Sequence, residues 1–387
     1  MEVMSINGKF NRRTTSSIMN IVYPQRGEHP SASHKKRRWG QEAKMKAVIL
    51  VGGFGTRLRP LTYTTCKAML PVLNRPFLEH MFCYLKRHQV DDIILSMGYL
   101  PDKIQEYFGD GSKFGVKLHY AVEDSPLGTA GAAKNAEQYL DNGAFFVFNG
   151  DIFTNIDLTA MLNFHKERLS KATIALTPVE DPSQFGVVET DEHGWVKDFI
   201  EKPPREKATT NMINAGIYIL EPEVLARVPP RTKYMFEHHV FPDLLRDRMA
   251  VYGFPTKAYW IDMGTPQKYM KLQCDLLDNV CAMDRCVDEK VRRPPGTLSQ
   301  TGGAVIIGAR CNISNGVQIK GPTVLGPGCN IMEGAVIEGS VLWSNVEVGR
   351  QAKLVNCILG DNCVIGDKCQ VQEGTVLGSN VVINGYQ

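Results

Sequence analysis

Two hydrophobic rhythms divide the chain. From Met45 short apolar runs alternate with amphipathic stretches: the pattern predicts a strand at 46–51, a helix at 77–88 and strands at 92–97 and 117–122. A helix at 130–139 and a strand at 144–148, which ends in Asn149-Gly150-Asp151, continue it. Strands alternating with helices predict an α/β fold with a mostly parallel, helix-covered sheet and ligands at the carboxyl ends of its strands. This unit runs to about Leu277.

Beyond a charged, proline-containing connector at 284–295 the period becomes six. Aliphatic residues fall at Ile307, Ile313, Ile319, Leu325, Ile331 and Ile337; one position early at Leu342, Val348 and Leu354; and early again at Leu359, Ile365, Val371, Leu377 and Ile383. Such a period predicts a parallel β-helix, in which each hexad forms one short side of a coil and stacked coils bury a continuous core. Four residues after each aliphatic come small or medium side chains expected to fill that core, among them Cys311, Thr323, Cys329, Ala335, Val341, Val346, Ala352, Ile358, Cys363 and Cys369. The expected organisation is a basic, disordered extension at 1–44, an α/β domain at 45–280, a linker at 281–302 and the repeat domain at 303–387.

With 387 residues, 43% hydrophobic and 22% charged, the chain has the make-up of a globular protein of two domains rather than a disordered one. No apolar run approaches the ~20 residues of a membrane span. Net charge is +3, yet the first 44 residues carry nine Lys/Arg against three acids, so the basicity is local and the body shows no nucleic-acid footprint. That segment lacks the apolar core of a secretory signal. It reads as a plain extension or an over-long start, while its acid-poor make-up also fits an organellar transit peptide or a nucleic-acid arm. The ten cysteines include no CxxC pair and no zinc spacing, and read as reduced thiols of a cytoplasmic protein.

The loop after the first strand reads Gly52-Gly53-Phe54-Gly55-Thr56-Arg57-Leu58-Arg59-Pro60-Leu61-Thr62. Glycines bring backbone N–H groups close to a ligand and the arginines add positive charge, a combination suited to phosphate. Neither the dinucleotide fingerprint nor a Walker A sequence is matched.

This loop, with Lys67, Met69-Leu70-Pro71-Val72, Leu127-Gly128-Thr129-Ala130, Asn149-Gly150-Asp151, Phe185-Gly186-Val187-Val188, Phe199-Ile200-Glu201-Lys202-Pro203, Asn214-Ala215-Gly216-Ile217-Tyr218 and Trp260-Ile261-Asp262-Met263-Gly264, resembles the sugar-1-phosphate nucleotidyltransferases. The motifs occur in the family's order from Met45 to about Leu277, and the resemblance is nearest to the mannose-1-phosphate guanylyltransferase subgroup. It implies a Rossmann-like, GT-A-like mixed sheet followed by a left-handed parallel β-helix. It also implies a reaction: a sugar-1-phosphate oxygen attacks the α-phosphorus of an NTP and pyrophosphate leaves. That nucleophile is already an anion, so charge neutralisation and alignment are needed rather than a general base.

By the same resemblance Asp151 and Asp262 hold Mg²⁺, Arg57 and Lys67 meet the triphosphate, and Lys202 grips the sugar-1-phosphate. Gly52, Gly53, Gly55, Thr56, Glu123, Gly128 and Thr129 contact the nucleotide; Gly186, Glu201 and Asn214 contact the sugar. Glu123 stands where pyrimidine-using relatives carry glutamine; its acceptor-only carboxylate suits the N1–H and N2–H donors of guanine, and GTP with mannose-1-phosphate is the expected pair. Cys66 departs from the proline usual before the lysine. Glucose-1-phosphate thymidylyl- or uridylyltransfer and a silent nucleotide-sugar-binding relative remain as alternatives. A sugar acyltransferase is disfavoured because all nine histidines lie at or before His239, outside the repeats. The β-helix is expected to assemble a homo-oligomer, and residues 45–280 alone are expected to keep some nucleotide binding.

Overall fold

In the computed structural model residues 44–281 and 303–385 are described. The expected basic extension, apart from Lys44, and the linker, apart from Cys281, lie outside them.

Nine strands form the main sheet: β1 (Lys46–Leu50), β2 (Asp92–Met97), β3 (Lys117–Val122), β4 (Phe145–Asn149), β5 (Ala172–Pro178), β6 (Gly186–Thr190), β7 (Val196–Glu201), β8 (Met212–Leu220) and β9 (Val251–Pro255). Their order is β7-β6-β8-β4-β1-β2-β3, with β5 paired to β8 and β9. The predicted strands and α1 (Phe77–Arg87) lie within a residue of the expected places, while α2 (Gly128–Asn135) starts two residues early and ends four short, its expected last turn being a separate 3-10 turn at Glu137–Tyr139. Along β1, Ala47 and Ile49 enter one buried cluster and Val48 the other, as alternation across a sheet covered on both faces requires.

The expectation of a mostly parallel sheet holds for one half only. Strands β4-β1-β2-β3 run parallel, whereas β8 pairs antiparallel with β4, β5 and β6, and β7 pairs antiparallel with β6. The sheet is mixed because hairpin-like returns replace helical crossovers after β5.

In the repeat domain every one of the predicted hexad aliphatics falls in a short strand, and the strands stack in parallel as three sheets of five, five and four. Leu325, Ile331, Ile337, Leu342, Val348, Leu354 and Leu359 are fully buried along the axis. Two expected core positions are corrected. Val341 and Ile358 face outward, and Ser340 and Cys357 turn into the coil instead. Each lies in a corner shortened to a five-residue step, so the inward residue comes three, not four, places after the aliphatic.

The outward column Val324, Val341 and Ile358, with Trp343, belongs to the same buried cluster as Leu58, Leu70 and Tyr269 of the α/β unit. The two domains therefore share a core. Polar links frame it: Asn74 Nδ2 donates to the Leu325 carbonyl at 2.8 Å, and Gln273, on the helix Pro266–Leu277, donates Nε2 to Pro71 O at 2.7 Å and accepts Leu73 N–H at 2.9 Å.

Four expected core thiols, Cys311, Cys329, Cys363 and Cys369, line the coil, each donating to a backbone carbonyl such as Gly326 O, Trp343 O or Gly378 O. The expectation that all ten cysteines are free thiols is corrected at one position, since Cys83 is disulfide-bonded. Eight others are free.

Candidate active site

The signature loop leaves β1 at Val51, whose N–H donates to Ser96 O at 2.8 Å. Gly55 adopts φ 60°, a left-handed conformation natural to glycine, and Thr62 Oγ1 closes the loop by donating to Gly55 O at 2.8 Å. Leu58 and Leu61 are buried and anchor it, which leaves Arg57 and Arg59 at the surface. Arg59 lies over the Tyr63 ring, 5.3 Å from its centroid.

A cleft of about 350 Å³ opens where β1 and β4 end, at the carboxyl edge expected of the sheet. Gly52, Gly53, Lys67, Glu123, Gly128, Thr129 and Asp151 line it, so seven of the expected residues meet in one hollow. Gly128 has φ 71°, and a Cβ there would stand 2.7 Å from Tyr234 O, so only glycine opens α2 in this place. Glu123 is held rather than splayed to solvent: Oε1 accepts from Ser96 Oγ at 3.2 Å and Oε2 from Leu127 N–H at 2.9 Å.

Asp151 and Asp262 are brought together by an antiparallel ribbon. Ile152–Thr154 pairs with Trp260–Asp262 so that Asp262 lies opposite Ile152, and Met263 N–H donates to Asp151 O at 2.9 Å. Gly150 makes the approach possible: a Cβ there would lie 2.5 Å from Leu50 O. Lys67 Nζ is hydrogen-bonded to Asp151 Oδ2 and stands 3.7 Å from Asp262 Oδ1. The Arg57 guanidinium reaches the same point, since a Cβ on Gly264 would be 2.9 Å from its Nη2 and 2.8 Å from Asp262 Oδ1. Burial pushes the Asp151 carboxyl up, but Lys67 and Arg57 outweigh it and hold it below the usual carboxylate range.

The remaining expected residues form a second cluster on the antiparallel half. Gly186 pairs with Glu201, and Lys202, at φ 47°, donates its N–H to Phe185 O at 3.0 Å while its ammonium lies 3.3 Å from Glu201 Oε1 as an ion pair. A Cβ on Gly186 would meet Phe199 at 2.7 Å and Glu201 Oε2 at 2.8 Å, so packing alone demands glycine there. Asn214 Oδ1 accepts Gly216 N–H at 2.9 Å and its Nδ2 donates to Tyr218 OH at 2.8 Å. Trp260 joins this cluster to the carboxylates, donating Nε1 to Ala215 O at 2.9 Å.

Two residues escape the sequence reading. Glu237 accepts from Thr129 Oγ1 at 2.7 Å and lies 3.5 Å from Tyr218 OH, bridging the cleft and the Asn214 cluster. Burial pushes its carboxyl up, and the charge of Glu201 adds to the shift. Lys268 Nζ stands 3.3 Å from Asp262 Oδ2. Neither has a local signal, because a lone Glu or Lys on a helical stretch reads as solvated surface.

The arrangement fits a divalent cation. Asp262 Oδ1 is buried without a hydrogen-bond partner, and it faces the same lysine as Asp151. Among the described residues no cluster of three or more His, Cys, Asp or Glu is placed to hold a metal. Two carboxylates with the remaining positions left to water and phosphate is the habit of a hard ion that keeps part of its hydration shell.

These features define an enzyme that joins phosphates, and comparison places it: residues 46–279 match the nucleotidyl transferase family, to which the chain belongs. Residues 295–386 match the eIF2B subunit epsilon left-handed β-helix domain. A mannose-1-phosphate guanylyltransferase of Mycobacterium tuberculosis is 37% identical over 72% of this chain and 79% of its own length. A UTP–glucose-1-phosphate uridylyltransferase of Synechocystis is 33% identical over 81% and 86%. The crystal structure of HddC from Yersinia pseudotuberculosis complexed with GMP-PN, 32% identical, superposes with a TM-score of 0.52 over 59% of this chain and 98% of that one. The protein is a sugar-nucleotide pyrophosphorylase, forming an NDP-sugar and pyrophosphate from an NTP and a sugar-1-phosphate, in a family that generally uses a divalent metal. Among the described residues no helix is long and apolar enough to cross a membrane.

Proposed function

We propose that the chain condenses GTP with mannose-1-phosphate to give GDP-mannose and pyrophosphate, with Mg²⁺ held between Asp151 and Asp262. The observation that carries this reading is the convergence of both carboxylates on Lys67, which with Asp151 and Glu123 lines the cleft. The guanylyltransferase relative and the GMP-PN complex support the guanine base.

The chain's own residues do the following. Gly52, Gly53, Gly55 and Thr56 present backbone to the triphosphate, and Arg57 and Lys67 neutralise it. Gly128 and Thr129 bound the nucleoside side, where the Glu123 carboxylate accepts from guanine and meets a pyrimidine O4 lone pair to lone pair. Lys202 draws in the sugar-1-phosphate, and Glu201 and Asn214 accept or donate to its hydroxyls beside Gly186. Asp151 and Asp262 would hold a divalent metal, which would supply positive charge to offset the negative charge that develops during phosphoryl transfer. No proton has to be removed from the attacking phosphate oxygen. Eight free thiols against one disulfide-bonded cysteine favour a cytoplasmic location. The β-helix coils remaining free of the shared core are the surface assigned to a homo-oligomer, which light scattering of the full chain tests.

The deciding experiment is pyrophosphate release with GTP, dTTP and UTP against mannose-, glucose- and N-acetylglucosamine-1-phosphates, with and without EDTA. The reading requires GDP-mannose as the fastest product and its loss on chelation. The Synechocystis relative makes UTP with glucose-1-phosphate the rival pair, and a faster rate with it would replace the assignment.

A further inference from the structure

Lys268 sits in the first turn of the helix Pro266–Leu277, where Thr265 Oγ1 accepts its backbone N–H at 3.3 Å. A helix N-terminus disfavours a cation, so solvent would be the natural destination for this side chain. It turns back instead. Its Nζ lies 3.3 Å from Asp262 Oδ2 and 5.2 Å from the centroid of the Phe185 ring, a cation–π arrangement that fixes the direction of approach.

The consequence is a matched set of charges. Lys67 holds Asp151 and Lys268 holds Asp262, so the two carboxylates are neutralised by ammonium groups of the chain itself. A divalent cation taken by the open Asp262 Oδ1 and by Asp151 draws on the charge of both carboxylates and so loosens the hold of each on its lysine. Lys67 lines the nucleotide cleft, and a released Lys67 has the triphosphate to meet. Lys268 lies on the other flank: Phe185, the ring beneath it, precedes Gly186 and accepts the Lys202 N–H at 3.0 Å.

We propose that Lys268 is the resting counter-ion of Asp262 and, on metal binding, transfers its charge to the phosphate of the sugar-1-phosphate, beside Lys202. This rests on the metal placement proposed above. The side chain of Lys268 is 37% exposed, so the resting ion pair contributes little net stability and gives way readily. A phosphate dianion then attracts the ammonium more strongly than a carboxylate already shared with a divalent ion.

The proposal sets two effects of opposite sign on one residue. In the full-length chain, Lys268→Met should bind Mn²⁺, followed by the EPR signal of the free ion without substrates, more tightly than the unmodified protein. The same variant should raise KM for mannose-1-phosphate by about tenfold or more, the size of one lost charge-assisted hydrogen bond, while KM for GTP stays within about twofold. Lys268→Arg should restore most of the sugar-phosphate KM. Unchanged or weaker Mn²⁺ binding, or an unchanged sugar-phosphate KM, overturns the hand-over. Asp262→Asn separates this from the metal placement itself: if that variant binds Mn²⁺ as the parent does, the metal is not held there, whatever Lys268 does.

Discussion

The indole Nε1 of Trp343, on the β-helix, donates a 3.0 Å hydrogen bond to the hydroxyl of Tyr269, which itself donates to Pro71 O. Tyr269 is next to Lys268 on the helix that follows Asp262, and Pro71 lies shortly after Lys67. The repeat domain thus grips both segments that carry the carboxylate and its lysine. At its last coils it also touches the phosphate loop, where a Cβ on Gly378 would lie 3.2 Å from Pro60.

The shared core predicts a different outcome from the one the sequence suggests for residues 45–280 alone, namely retained nucleotide binding. Removing the repeats would expose Leu58, Leu70 and Tyr269, so the 45–280 fragment should aggregate or melt far below the full chain and show no turnover. In the full chain Trp343→Ala should cost about 3–5 kcal/mol in chemical denaturation. Trp343→Phe should cost less and recover activity. A soluble, active fragment would refute the shared core.

Glu237 ties Thr129 at the cleft to Tyr218 and Asn214 at the sugar cluster. Glu237→Gln keeps the shape but alters the donors, and should lower kcat/KM about tenfold, chiefly through KM for the sugar-1-phosphate; Glu237→Ala should lower it further. Steady-state kinetics with each substrate varied in turn separates this from general destabilisation, which would not single out one KM.

Glu123 is pinned by Ser96 and Leu127 with lone pairs still free toward the cleft. Glu123→Gln supplies a donor to O4 and should erode a preference for GTP over dTTP that can reach ~10⁴-fold in a buried site. The ratio of kcat/KM values for the two nucleotides in parent and variant measures it. An unchanged ratio would assign base reading to the backbone.

His80 is buried with its Nε2 2.9 Å from Val72 O, and burial lowers its pKa from 6.5 to about 4. The unfolded chain takes up this proton below about 6.5 and the folded chain does not, so the stability present above that pH is lost as pH falls toward 4. The loss amounts to roughly 3 kcal/mol when complete. Denaturation midpoints between pH 7 and 4 should fall less steeply for His80→Phe than for the parent, even if the variant starts from a lower level.

Local rhythm carried much of the fold. Strands at 92–97 and 117–122 were legible to the residue, since apolar-rich runs of six residues are of strand length and too short for a typical helix. The helix Pro101–Phe108 was not, because it is short and only Ile104 and Phe108 are buried. The antiparallel half was hidden because alternation does not reveal the direction of a partner strand. Motif order brought Asp151, Asp262 and Lys67 to one point, but Lys268 and Glu237 act through partners remote in sequence. The docking face did leave a trace. Val324-Leu325, Val341-Leu342 and Ile358-Leu359 are apolar on both sides of the strand, whereas Asn330-Ile331 and Lys353-Leu354 are polar outside.

The thiols stacked inside the repeat have a use that none of their packing roles suggests. Cys329 and Cys363 are wholly shielded from solvent, Cys369 nearly so, and Cys311 in the first coil is only partly covered. A small alkylating reagent would therefore mark Cys311 at once and the others only as their coils part. The mass gained over time by the peptide carrying each of these cysteines would report how far the stack has unzipped, and from which end.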